Sequence, residues 1–154
     1  YLIVGDGPDT GSLKTLAAEL GVTDRVVFVG RVDRSMTSKY RKISDVFVVP
    51  SRSEGLGISF LSTMAAGIPM VTTQEGGIAD FLFDAKRNPD KPSTGWAVDK
   101  ENPEQVAAAV MHIMENREEV QQVVENAQTL VREKYNWDQI VSDMQTEVFE
   151  KVLK

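Results

Sequence analysis

The chain has 154 residues, of which 42% are hydrophobic and 26% charged, with 11 Gly and 6 Pro. A single domain runs to roughly 100–200 residues, so the length predicts one domain over residues 1–154, and the usage is neither disordered, collagen-like nor membrane-spanning. The 17 basic and 23 acidic residues leave a net charge of −6, which repels a nucleic-acid backbone and excludes DNA or RNA as the first partner. With no Cys there is no disulfide, thiolate nucleophile or thiolate metal site, and the lone His112 excludes any site needing two imidazoles. A cytoplasmic setting fits this composition. No signal-peptide pattern precedes Tyr1, which stands directly in a strand-like run. The chain is therefore read as a piece of a longer protein.

In chain order, residues 1–4 (Tyr-Leu-Ile-Val) form a short apolar run stopped by Gly5-Asp6-Gly7-Pro8, the pattern of a buried strand and a turn. Leu13, Leu16, Ala17 and Leu20 recur at helical spacing before Gly21, predicting a helix over 11–20 with a glycine at its end. The pattern repeats: strand 26–29, helix 35–43, strand 46–49, helix 58–66, strand 70–73, a short helix 76–83 and strand 96–98. Residues 84–95 are a polar loop with two Pro. Pro103 suits the first turn of a helix, with one apolar stripe at Val106, Val110, Ile113 and Met114. Val120, Val123, Val124, Ala127, Leu130 and Val131 form the next stripe, and a last helix is predicted over 138–153. Strands alternating with helices predict an α/β, doubly wound, mainly parallel Rossmann-like sheet with helices on both faces and a helical C-terminal segment.

In such sheets ligands meet the carboxyl ends of the strands, where loops lead into helix N-termini with unpaired N–H groups. The Gly5-Asp6-Gly7-Pro8 loop holds Thr10 where a dinucleotide fingerprint needs its third glycine, and Asp33 comes late for a ribose-binding acid, so a tight turn is the better reading. The loop Pro50-Ser51-Arg52-Ser53-Glu54-Gly55-Leu56-Gly57 is more informative. Its glycines admit a close ligand and the following helix start offers donors to a phosphate. Glu54 would repel a bare phosphate, so beside an anion site it suits a neutral, hydroxyl-rich group or a cationic centre close to the phosphate, as in a sugar attached to a diphosphate; alternatively it is a solvated acid at a helix start. On the helix, Ile58, Leu61, Met64 and Ala65 are expected in the core, with Ser59, Ser62 and Thr63 on the polar side. Gly76-Gly77 repeats the glycine logic after the next strand, although paired glycines also serve plain turns.

The succession Ile3-Val4-Gly5-Asp6-Gly7-Pro8, Val27-Phe28-Val29-Gly30, Tyr40, Ser44 to Ser51, Ser53-Glu54-Gly55-Leu56-Gly57-Ile58, Met64-Ala65-Ala66-Gly67-Ile68-Pro69, Gly76-Gly77 and Tyr135-Asn136-Trp137 resembles the C-terminal half of retaining GT-B glycosyltransferases of the group 1 (family 4) type. The resemblance covers essentially the whole chain. It implies a nucleotide-sugar-binding domain that donates a sugar to an acceptor held by an N-terminal domain, with no cofactor and no metal. It also implies that Glu54 contacts the donor sugar, that backbone N–H groups at Gly57 and Ile58 hold the diphosphate, that Gly55, Ser62, Gly76 and Gly77 line the donor, and that Arg31 and Val32 meet the nucleobase.

Two departures stand out. Ser62 occupies the position where the family carries a second, ribose-binding glutamate, and loss of a charge-assisted hydrogen bond costs roughly 1.5–3 kcal/mol. The family's first strand and helix, whose loop supplies an Arg and a Lys to the diphosphate, also have no counterpart before Tyr1. That strand is central in the family sheet, so a slot is expected there, filled by a partner chain, an exchanged segment or an altered strand order. The chain alone is expected to be inactive. The alternative is a catalytically dead nucleotide-sugar-binding or scaffolding module, motivated by Ser62; a sugar-nucleotide epimerase would need acid and base groups in the cleft, and no histidine is placed for that. A lipid acceptor would put the parent protein peripherally at a membrane. His112 and the Glu-rich helices are expected in solvent, Met64, Met70, Met111 and Met114 in the core, and Trp137 packing the last helix onto the body.

Overall fold

The computed structural model describes residues 1–152, and the predicted end of the last helix at Leu153 lies outside them. The chain divides into two compact units, Tyr1–Ile43 and the residues from Ser44 onward. In the first, β1 (Leu2–Val4) pairs in parallel with β2 (Val27–Gly30), with α1 (Thr10–Glu19) as the crossover and α2 (Arg34–Lys42) following. Gly5 closes the strand end by donating to Gly30 O at 2.9 Å. Thr10 completes the turn that its sequence position suggested: its hydroxyl donates to Asp6 Oδ1 at 3.0 Å and accepts from Gly7 N at 3.2 Å.

The second unit carries a three-stranded parallel sheet in the order β3 (Phe47–Val49), β4 (Met70–Thr72), β5 (Trp96–Ala97). Its helices are α3 (Ile58–Ala65), α4 (Pro103–Glu115), α5 (Arg117–Lys134) and α6 (Trp137–Met144), the last continuing through a π-helical turn, Gln145–Phe149, to α7 (Glu150–Val152). Alternation along the strands sorts their side chains onto two faces. Phe47, Val49, Met70 and Ala97 join Phe60, Leu61 and Met64 of α3 and Ala127 of α5. Val48, Val71 and Trp96 join Val106, Val110 and Ile113 of α4. Helices thus cover both faces, and β4, paired on both edges, is buried at every residue.

Several expectations about burial are corrected. β1, β2 and β3 are only half-buried or partly exposed, because each pairs with one named strand rather than two. Of the α1 stripe only Ala17 is buried, while Leu13, Leu16 and Leu20 are exposed. On α3 the helix is rolled so that Phe60 and Thr63 go inside and Ile58 and Ala65 stay outside; Thr63 tolerates burial because its hydroxyl donates to Ser59 O at 2.8 Å. Met64 and Met70 are core residues, but Met111 and Met114 are exposed. Trp137 is 73% exposed rather than packed on the body. The neighbouring Tyr135, at the end of α5, turns inward instead, standing edge-on to Phe81 with ring centroids 6.1 Å apart. Residues 76–83 form only a short 3-10 turn, Gly76–Asp80.

The 84–95 loop has a structural role. Asp84 accepts from Ala97 N at 2.9 Å and Lys86 N at 2.9 Å, and so caps an edge-strand donor of β5. Buried Thr94 takes Phe83 N at 2.8 Å and gives its proton to Phe81 O at 2.6 Å.

Candidate functional site

In the second unit the carboxyl ends of β3 and β4 lead into the loops 50–57 and 73–77. Their stems are tied by threonine hydroxyls: Thr72 donates to Val49 O at 2.8 Å and Thr73 to Ser51 O at 2.6 Å. Beyond these stems the two loops touch backbone to backbone. Gly77 N donates to Gly55 O at 2.9 Å. A Cβ at Gly76 would stand 2.0 Å from Glu54 O, and one at Gly77 would stand 2.3 Å from Gly55 O. The glycine pair is therefore required by the approach of the Glu54 loop, and it brings Glu54, Gly55, Gly76 and Gly77 together.

Gly57 ends the first loop at φ +74°, a left-handed conformation, and gives α3 no side-chain cap. Phe60 N and Leu61 N turn back to Gly57 O, at 2.9 and 3.2 Å. Ile58 N and Ser59 N have no acceptor among the described residues, which leaves the helix start able to receive an anion. Glu54 is half-buried, with Oε1 accepting from its own neighbour, Gly55 N, at 3.1 Å. This carboxylate is held close to the loop backbone, one turn of chain before the free amides.

Ser62 lies on α3, four residues beyond Ile58, and its hydroxyl donates to Ile58 O at 2.7 Å. Arg31 and Val32 follow β2 in the first unit, after Gly30 at φ +77°, and are described there by themselves. His112 is half-exposed, with Nε2 and Glu119 Oε2 at 2.8 Å and Nδ1 beside Asn116 Nδ2 at 3.2 Å. It lines a cavity of about 550 Å³ beside β5 together with Asp84, Lys86, Trp96, Gln105 and Glu119. None of that cavity's residues belongs to the Glu54 or Gly76 loops. Among the described residues no group of three or more His, Cys, Asp or Glu side chains is placed to hold a metal, and no helix is long and apolar enough to cross a membrane.

Sequence reasoning missed the turn after β5. There Lys100 Nζ meets Glu75 Oε2 at 2.9 Å and Glu101 Oε1 meets Arg52 Nε at 3.0 Å. Asp99 at its base accepts from Gln105 Nε2 at 2.8 Å and Arg87 Nη2 at 2.6 Å. The Gln105 hydrogen bond first, and the Arg87 hydrogen bond and charge next, hold the Asp99 carboxyl below its ordinary range. A signal was present in the sequence, since four charged or amide residues, 99–102, stand directly at a strand's carboxyl end.

An α/β fold with glycine loops and free helix amides at the ends of parallel strands defines a class of domain that holds anionic ligands at those ends. The sequence profile described as glycosyl transferases group 1 matches residues 1–130, and the chain belongs to that family. Among its relatives are an uncharacterized glycosyltransferase of Methanocaldococcus jannaschii, 34% identical over 92% of this chain and 35% of the relative, and a GDP-mannose-dependent alpha-(1-6)-phosphatidylinositol monomannoside mannosyltransferase of Mycobacterium tuberculosis, 31% identical over 93% of this chain and 37% of that one. The chain thus spans a little over a third of the length of these curated relatives. Of solved structures, sucrose-phosphate synthase from Thermosynechococcus elongatus superposes with a TM-score of 0.83 at 25% identity, over 99% of this chain and 38% of that one. HepE of Anabaena in complex with UDP-glucose gives a TM-score of 0.83 at 18% identity, over 97% of this chain and 40% of that one.

Proposed function

We propose that residues 1–154 are the donor-binding domain of an enzyme that transfers a sugar, with retention, from a nucleotide-diphosphate sugar to an acceptor held by a separate N-terminal domain. The observation that carries this is the paired approach of the Glu54 and Gly76-Gly77 loops beside the free amides of Ile58 and Ser59. In this reading the amides receive the diphosphate, Glu54 accepts hydrogen bonds from donor-sugar hydroxyls, Gly55, Gly57, Gly76 and Gly77 allow the close approach, and Arg31 and Val32 meet the base. As the bond from the sugar's anomeric carbon to the diphosphate oxygen breaks, its electron pair leaves with the diphosphate. N–H donors at a helix start stabilise that growing negative charge more in the transition state than in the ground state. The UDP-glucose of one structural neighbour and the GDP-mannose of one relative support a nucleotide-sugar donor.

The chain spans a little over a third of its relatives' length, so transfer itself is assigned to a longer protein. A protein of the relatives' length is the glycosyltransferase; residues 1–154 alone bind donor but do not transfer. No cofactor or metal enters the reading, and a cytoplasmic setting, peripheral at a membrane for a lipid acceptor, is part of it. A partner copy or exchanged segment adding a strand beside β1 or β3 is also part of it.

Ser62 favours a second reading. Its hydroxyl is turned to Ile58 O and a serine brings no charge to a ribose, which suits a catalytically dead binding or scaffolding module. The two separate in a protein of full family length. Glu54→Ala is expected to lower kcat for transfer by at least tenfold while nucleotide affinity changes less; a protein with no transfer activity whose partner binding survives Glu54→Ala is the scaffold.

A further inference from the structure

Deepening the donor-site reading, and resting on it for the ligand, we propose that Lys100 and Glu101 are positioning residues: the turn after β5 holds the two donor loops in register, Glu101 through Arg52 and Lys100 through Glu75. The two ion pairs reach different loops from adjacent residues. Arg52 lies two residues before Glu54, and Glu75 immediately before Gly76, whose backbone touches Glu54. The turn is itself fixed at both ends. Asp99 N donates to Gln105 Oε1 at 2.8 Å while Gln105 Nε2 returns to Asp99 Oδ2, and Asn102 caps α4 by accepting from Gln105 N at 2.9 Å. Two adjacent charges on an anchored turn can therefore adjust the spacing of the two loops, beyond the backbone contact that joins them.

Backbone conformation supports the same role. Glu101 is the only non-glycine with positive φ among the described residues, at +55°. A left-handed glutamate is disfavoured relative to glycine, and such conformations persist at sites where the side chain is needed. Here the glutamate's distinguishing contact is its ion pair with Arg52. The pairs are exposed, so each is worth a modest factor, which suits adjustment of a loop rather than stability of the fold.

The test uses this chain with Glu101→Gly, with Lys100→Gln, and with the charge swap Arg52→Glu plus Glu101→Arg. Glycine accepts φ +55°, so Glu101→Gly removes the pair without lowering the thermal midpoint, which separates positioning from folding. Amide exchange at Gly77, whose N–H is held by Gly55 O, is expected to quicken about two- to fivefold in each single variant, the range an exposed pair supplies. The swap is expected to restore it, and calorimetric titration with UDP-glucose and GDP-mannose is expected to weaken and recover in parallel. Unchanged exchange at Gly77 in both single variants, or no recovery on swapping, would overturn the positioning role. Failure of UDP, GDP, ADP and their sugar-bearing forms alike to titrate the unsubstituted chain would sink the donor-site reading alone, since exchange at Gly77 still decides the role of the turn.

Discussion

At Gly76 a methyl group would meet the Glu54 carbonyl oxygen at 2.0 Å, and φ is +56° besides. Two independent penalties, a backbone clash and a left-handed alanine, make Gly76→Ala cost roughly 1–3 kcal/mol or else force the loops apart. The expected outcome in thermal denaturation and donor titration is a lowered midpoint together with lost donor binding. Gly11→Ala is the control, since that glycine lies in α1 with open space around its Cβ and should gain about 0.4–1 kcal/mol. Asp99 offers a residue-scale prediction in pH. Its folded carboxyl titrates below the ordinary value of about 3.9. The stabilisation it provides is therefore present above pH 4 and is lost as pH falls through the lowered folded value. Gln105→Ala, which removes the largest cause, is expected to move the Asp99 carboxyl resonance titration upward in carbon-detected NMR.

Among the elements, α3 depends on Phe60, fully buried and edge-on to Phe47 at a centroid separation of 5.4 Å. Phe60→Ala should cost about 3–5 kcal/mol of unfolding free energy in denaturant titration, whereas the neighbouring exposed Ile58→Ala should cost far less. Asn102 caps α4, so Asn102→Ala is expected to cost about 1 kcal/mol. The existence and order of these elements were legible in short apolar runs and glycine stops, because a strand buried on both faces, like β4, admits a polar side chain only where it is hydrogen-bonded, as Thr72 is to Val49 O. The roll of α3 was not legible. Phe60 sits one position off the predicted stripe, and Thr63 enters the core only because its hydroxyl finds Ser59 O. The π-helical turn in the last helix and the exposure of Trp137 likewise depend on what packs there, which local periodicity does not encode.

For the molecule as a whole, the Glu54 loop was legible as a glycine-rich lead into a helix start, because loop glycines before a helix have a direct physical use. The function of Gly76-Gly77 was only half legible: the turn was visible, the approach to Glu54 was not, since it joins residues about twenty apart across two strands. Lys100 and Glu101 were overlooked for the same reason, their partners Glu75 and Arg52 being distant in sequence. Family membership covers residues 1–130 and says what class of chemistry to look for; the Glu54 and Gly76 loops are where the proposed reading puts it. The central claim is that these loops bind a nucleotide-diphosphate sugar with Glu54 at the sugar. Its most direct test is calorimetric titration of residues 1–154 with UDP, GDP and ADP and with their sugar-bearing forms, for the unsubstituted chain and Glu54→Ala. Saturable binding of one nucleotide, with Glu54→Ala weakened only toward the sugar-bearing ligand, is the predicted result; no saturable binding to millimolar concentration, or equal weakening toward nucleotide and sugar nucleotide, would contradict it.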